Sequence, residues 1–86
     1  MSTETNITVY GADWCPDTRR AKRLFDERKV SYKWVDIEQD KEGEKVVLET
    51  NRGNRSIPTI IFADGSILVE PSNEQLAAKL FKTQLE

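Results

Sequence analysis

The chain is expected to fold as one α/β domain of order βαβαββα, a four-stranded mixed sheet flanked by three helices, and three observations predict it. Two strand-like runs, Ile7-Thr8-Val9-Tyr10 and Tyr32-Lys33-Trp34-Val35, are separated by a helix-like segment, the pattern of a right-handed βαβ unit with parallel strands. Two further apolar runs, Thr59-Ile60-Ile61-Phe62 and Ile67-Leu68-Val69, flank Ala63-Asp64-Gly65-Ser66, whose Asp-Gly pair is a strong hairpin signal. Finally, Ser72 and Gln75 have the spacing of a capping box ahead of Leu76, Ala77, Leu80 and Phe81, which recur at helical intervals.

Taken in order, the first strand alternates β-favouring residues and ends at Gly11. Pro16 suits the first position of the following helix, where its missing N–H would be unpaired anyway, and this makes Cys15 the N-cap. Ala21, Leu24 and Phe25 give that helix its apolar stripe, and it is expected to run to about Lys29, with Arg19, Arg20, Lys22, Arg23 and Arg28 on the solvated side. Asp40 is placed to cap a second helix carrying Val46, Val47 and Leu48; Gly43 weakens its start and Gly53 marks its end. Residues 1–6 are expected to form a short flexible tail to a single domain spanning 1–86.

Composition narrows the chemistry. Eighty-six residues allow one modest core and no separate cofactor-binding lobe. Thirteen basic against fifteen acidic residues give a net charge of −2, which argues against a nucleic-acid partner held by bulk electrostatics. No apolar run approaches bilayer length, so no membrane partner is expected. The absence of histidine and of a second cysteine leaves no basis for a zinc site or a His-dependent mechanism. A single cysteine rules out a disulfide scaffold and points to a reducing compartment, and the first residues lack a signal-like apolar run, so the cytoplasm is the expected location.

The lone cysteine lies in Trp14-Cys15-Pro16-Asp17-Thr18, at the junction of strand and helix. A thiolate is the attacking form of cysteine, and the N–H groups of a helix's first turn stabilise negative charge, so the sulfur is expected to face those amides within reach of dissolved partners. The neighbouring Asp13 and Asp17 oppose its ionisation, and Arg19 and Arg20 are placed to offset them. Thr18, three residues on and on the same face, either donates to the sulfur or satisfies local backbone groups.

Three landmarks in order carry a resemblance to a known family: Trp14-Cys15-Pro16-Asp17-Thr18, then Ser56-Ile57-Pro58-Thr59, then Phe62-Ala63-Asp64-Gly65-Ser66 with Pro71-Ser72. Over residues 7–85 the chain resembles the glutaredoxin branch of the thioredoxin superfamily, and from Gly53 to Ser72 its wording is most similar to that of the mycoredoxins. The resemblance implies that Cys15 is the nucleophile and that Thr18 stands where dithiol relatives carry their resolving cysteine, leaving a monothiol Cys-Pro-Asp-Thr motif. It implies a cis peptide at Ile57-Pro58, opposite the cysteine, with backbone groups open to an extended thiol substrate. Arg55 beside that loop is then a candidate for holding a substrate carboxylate. Trp14 either forms a wall beside the sulfur or packs as a half-buried aromatic, and Pro16 borders the same approach. Glutathione-binding relatives carry Gly-Gly and an acidic pair after the last strand, where this chain has Val69-Glu70-Pro71-Ser72-Asn73. Val69 and Glu70 are therefore expected to narrow or reshape the groove for the small thiol, while Ser72 and Asn73 either offer helix N-terminal donors to it or simply cap the helix.

These readings lead to an expected monothiol thiol-disulfide oxidoreductase: a monomer, with no bound cofactor, acting on mixed disulfides between proteins and a low-molecular-weight thiol. The co-substrate thiol is mycothiol by the mycoredoxin likeness or glutathione by the general one. Two alternatives come from other classes. Monothiol relatives carry iron-sulfur clusters as thiol-bridged dimers, but with a Cys-Gly-Phe-Ser motif and an upstream lysine, whereas this chain has Pro16 and no lysine before Lys22. A non-catalytic adaptor that kept the surface and lost turnover is the other.

Overall fold

The computed structural model describes residues 6–85, with side chains through Phe81, so most of the expected tail lies outside the described residues. The observed order is β1 (Thr8–Gly11), α1 (Pro16–Glu27), β2 (Lys33–Asp36), α2 (Lys41–Thr50), β3 (Thr59–Ile61), β4 (Ile67–Val69) and α3 (Asn73–Leu85). This is the expected βαβαββα arrangement. The strands form one mixed sheet in the order β2-β1-β3-β4, with β1 parallel to β2 and antiparallel to β3, and β4 antiparallel to β3.

Strand alternation splits the core in two. Val9 and its cross-strand partner Ile60 join Ile7, Phe62, Ala21, Phe25, Leu76 and Leu80, so α1 and α3 cover one face of the sheet. Tyr10, one residue further, packs instead on a second cluster with Ala12, Cys15, Ile37, Val47 and Ile57, beneath α2. The reactive segment thus belongs to the smaller core. Because β4 runs parallel to β1, the segments following β1, β2 and β4 and the one preceding β3 all emerge at the same end of the sheet. That end holds Cys15, Glu38, Ile57 and Glu70.

Helix α1 stops two residues before the expected end. Arg28 is the C-cap, Lys29 turns to φ 56°, and the Lys29 and Val30 amides donate to the carbonyls of Asp26 and Phe25 at 3.1 and 3.0 Å. This is the Schellman pattern, with buried Val30 and Phe25 as its apolar pair and a lysine where glycine is preferred. Lys29→Gly is expected to stabilise the protein by about 0.5–1 kcal/mol, read as a higher urea midpoint at constant slope. Helix α2 closes the same way: Arg52 takes the left-handed position at φ 56°, and Gly53, the expected terminator, follows it. Asp40 caps α2 as expected, its carboxylate accepting from the amides of Glu42 and Gly43 at 3.0 and 3.1 Å.

Gly43 has a reason beyond helix strength. A Cβ there would collide with Val35 Cγ1, so the missing side chain lets α2 lie against β2. The hairpin closes through Phe62 and Ser66, the Phe62 amide donating to the Ser66 carbonyl at 2.9 Å, with Gly65 at φ 87°. Hydrogen bonds from the Ser66 hydroxyl and amide, and then Lys79, hold the Asp64 carboxyl below the usual carboxylate range. The Ser72–Gln75 capping box forms reciprocally at 2.9 and 3.1 Å.

Candidate active site

Cys15 is the N-cap of α1, in extended backbone at φ −80° and ψ 119°, with Pro16 occupying the first helical position. The turn is tied by the Cys15 amide to the Ala12 carbonyl at 3.1 Å and by the Arg19 amide to the Cys15 carbonyl at 3.0 Å. Two expectations about the sulfur need correction. Its side chain accepts no hydrogen bond from the first helical turn, and the residue is only 8% exposed rather than open. The cause is packing on Ala12, Ile37, Val47 and Ile57, which turns Sγ toward the Ile57 carbonyl, 4.0 Å away, where the thiol is the donor.

That carbonyl belongs to the Ile57-Pro58 peptide, which is cis, and both residues are buried. The loop is anchored from behind. The Asn51 side-chain amide donates to the Val47 carbonyl at 2.9 Å and to Thr59 Oγ1 at 3.0 Å, and the Thr59 hydroxyl donates to the Ser56 carbonyl at 2.7 Å. The end of α2 and the start of β3 therefore fix the group facing the sulfur.

Thr18 is fully buried, and its Oγ1 has no hydrogen-bond partner among the described residues. The expected hydroxyl donation to sulfur is absent because the side chain packs on Gly11: a Cβ on Gly11 would lie 2.6 Å from both Thr18 Cγ2 and Oγ1. The two acids flanking the cysteine are already paired, Asp13 with Lys22 at 3.0 Å and Asp17 with Arg20 at 3.3 Å. Arg20 thus offsets Asp17 as expected. Lys22 is itself held 3.7 Å from the Trp34 ring centroid.

Trp14 is 59% exposed rather than half-buried, and its indole N–H donates to Glu38 at 2.8 Å. Arg55, expected to await a substrate carboxylate, instead donates to two carboxylates of this chain, to Glu44 from Nε at 2.9 Å and to Glu38 from Nη2 at 3.4 Å. The hydrogen bond to Glu44, then that to Glu38, raises the guanidinium pKa above its ordinary value. Glu38 and Glu44 were invisible to sequence reasoning, since Glu38 is 24 and 17 residues from the two side chains it joins. Pro16 is exposed beside the cysteine. At the end of β4, Val69 is 38% exposed, and the Glu70 amide donates to the Pro58 carbonyl at 2.9 Å, joining this turn to the cis-proline loop. Ser72 and Asn73 begin α3 at the same end of the sheet, with the Ser72 hydroxyl engaged in capping.

Among the described residues no helix is long and apolar enough to cross a membrane. The Glutaredoxin family model matches residues 7–67. A Mycobacterium tuberculosis protein that carries the name glutaredoxin is 40% identical over 76 residues, covering 88% of this chain and 90% of the relative. Mycoredoxin 1 of Corynebacterium glutamicum is 34% identical over 76 residues, covering 88% of this chain and 94% of its own. The crystal structure of a glutaredoxin from Archaeoglobus fulgidus superposes with a TM-score of 0.70 at 20% identity, over 88% of this chain and 86% of that one. The helix-capping cysteine, the cis-proline loop facing it and a family match over most of the sequence agree, and the chain belongs to the glutaredoxin family.

Proposed function

We propose that the protein is a monothiol thiol-disulfide oxidoreductase that reduces mixed disulfides between proteins and a low-molecular-weight thiol through Cys15. The observation carrying this reading is the lone cysteine at a helix N-cap with its Sγ turned to the Ile57 carbonyl, in a chain of the glutaredoxin family. The thiol donates toward that carbonyl.

In the first half-reaction the Cys15 thiolate attacks the small-thiol sulfur of the mixed disulfide. The Cys15–sulfur bond forms as the old disulfide bond breaks, and the substrate protein leaves as a thiolate that takes a proton from water. In the second, a further small thiol, as thiolate, attacks the small-thiol sulfur now bonded to Cys15, and the bond to Cys15 breaks. This releases the oxidised small-thiol dimer and restores the Cys15 thiolate. One free small thiol is consumed for each protein thiol released, and no resolving cysteine is required. Thr18, Trp14, Pro16, Ile57, Pro58, Val69, Ser72 and Asn73 border the approach or support it. The co-substrate is mycothiol or glutathione, and a monomer in a reducing cytoplasm suits a chain with one cysteine.

Mass spectrometry of the protein incubated with oxidised mycothiol, glutathione and bacillithiol tests the reading. The expected result is one adduct, on Cys15, with the thiol that also supports turnover of a protein mixed disulfide. A folded protein that forms no adduct and reduces none of these disulfides would remove it.

A further inference from the structure

The proposed exchange at Cys15 takes place at the acidic end of the sheet. The strand ends and loops there carry Asp13, Asp36, Glu38, Asp40 and Glu70 against Arg52 and Arg55, with Asp13 paired to Lys22 of α1. Among these groups Glu38 occupies a special place. Its carboxylate accepts from the indole of Trp14, the residue before Cys15, and from the guanidinium of Arg55, two residues before the Ile57 carbonyl that faces Sγ. Glu44 takes the Nε edge of the same guanidinium. Two carboxylates therefore share one cation between the segment before Cys15 and the loop that carries Ile57, so the balance of this group is negative and its cation is already engaged.

We propose that Glu38 and Glu44 act as a charge filter on the disulfide that reaches Cys15, holding Arg55 away from anionic partners and favouring neutral or cationic ones. The filter rests on Cys15 being the attacking atom of the proposed reaction, and it adds specificity-determining residues to that site. These ion pairs are partly exposed, with side chains of Arg55, Glu38 and Glu44 exposed by 37%, 42% and 36%, so the filter is moderate and sensitive to salt.

Single-turnover exchange tests this without a protein substrate or a reductase. The full chain is mixed with cystamine, bis(hydroxyethyl) disulfide or dithiodipropionate, whose ends are cationic, neutral and anionic. In each case the Cys15 thiolate attacks one sulfur, the reagent's disulfide bond breaks, and the other half leaves as thiolate. The rate of adduct formation is followed by intact mass. The natural protein is expected to react fastest with cystamine and slowest with dithiodipropionate, and added salt to narrow the spread.

In Glu38→Gln/Glu44→Gln, where the amides keep acceptor oxygens, the ratio of the dithiodipropionate to the bis(hydroxyethyl) disulfide rate is expected to rise about fivefold. Adding Arg55→Gln should return the ratio toward its starting value. Rates in the natural protein that do not follow reagent charge would overturn the filter without any substitution. So would an unmoved ratio in the folded double variant, or a gain that survives removal of Arg55. A Cys15 inert to all three reagents overturns it too, there being no exchange to filter. A shifted ratio in a protein that never turns over mixed disulfides would instead remove the proposed function and leave the filter standing.

Discussion

Cys15→Ser is expected to lower mixed-disulfide turnover by at least about 10³-fold, to background, in a protein that still folds. An oxygen cannot form the mixed disulfide on which both half-reactions depend, and no histidine is present to activate a hydroxyl. The only other sulfur in the chain is the thioether of Met1, which cannot take over. The fold tolerates the change because serine has nearly the shape of cysteine, but its hydroxyl sits at a site only 8% exposed and too far from the Ile57 carbonyl for an O–H···O hydrogen bond. Stability should fall by about 1–3 kcal/mol, the cost of a buried hydroxyl left without a partner.

The contrasting substitution is Thr18→Val. It removes a buried hydroxyl that has no partner among the described residues, so stability should rise by about 1 kcal/mol. Turnover should fall by no more than about tenfold, because the monothiol route asks for no second group at that position. Rates with a protein mixed disulfide, paired with urea midpoints, separate the outcomes. Turnover surviving Cys15→Ser, or lost equally in Thr18→Val, would contradict the single-sulfur route.

How much of this was legible in the sequence follows the range of the interactions. Strands, helices and the hairpin were readable because alternation, helical spacing and the Asp64-Gly65 pair act within a few residues. Helix ends were less so. Lys29 and Arg52 adopt left-handed backbone usually given to glycine, so α1 ends before the expected Lys29 and α2 before the expected Gly53. The N-cap position of Cys15 was also local and readable from Pro16. Its burial was not, since it arises from Ile37, Val47 and Ile57, brought over by α2 and the cis-proline loop. The Trp14–Glu38–Arg55–Glu44 chain was equally hidden. It joins segments that meet only because β1, β2 and β3 are adjacent and open at one end of the sheet.

Gly43→Ala is expected to destabilise the protein by up to about 2 kcal/mol, opposite in sign to the usual effect of alanine in a helix. Taken alone, glycine at the third position of α2 costs about 1 kcal/mol relative to alanine. The added Cβ, however, would meet Val35 Cγ1 too closely and also approach Asp40 Cγ and Tyr10 Cδ2, each at 3.6 Å. Val35 is buried on β2 and β-branched, with few rotamers to retreat into, so α2 must lift from the sheet. Overpacking of this kind costs about 1–3 kcal/mol, more than the helix gains. The lift would also loosen Val47 and the Asn51 contacts that anchor the loop bearing Ile57 and Pro58, so exchange at Cys15 should slow together with the loss of stability. A double-mutant cycle with Val35→Ala checks the cause. If the steric account holds, the pair couples favourably by about 1 kcal/mol, because truncating Val35 makes the room that alanine needs. Strict additivity would mean that the helix–sheet contact does not set the sign.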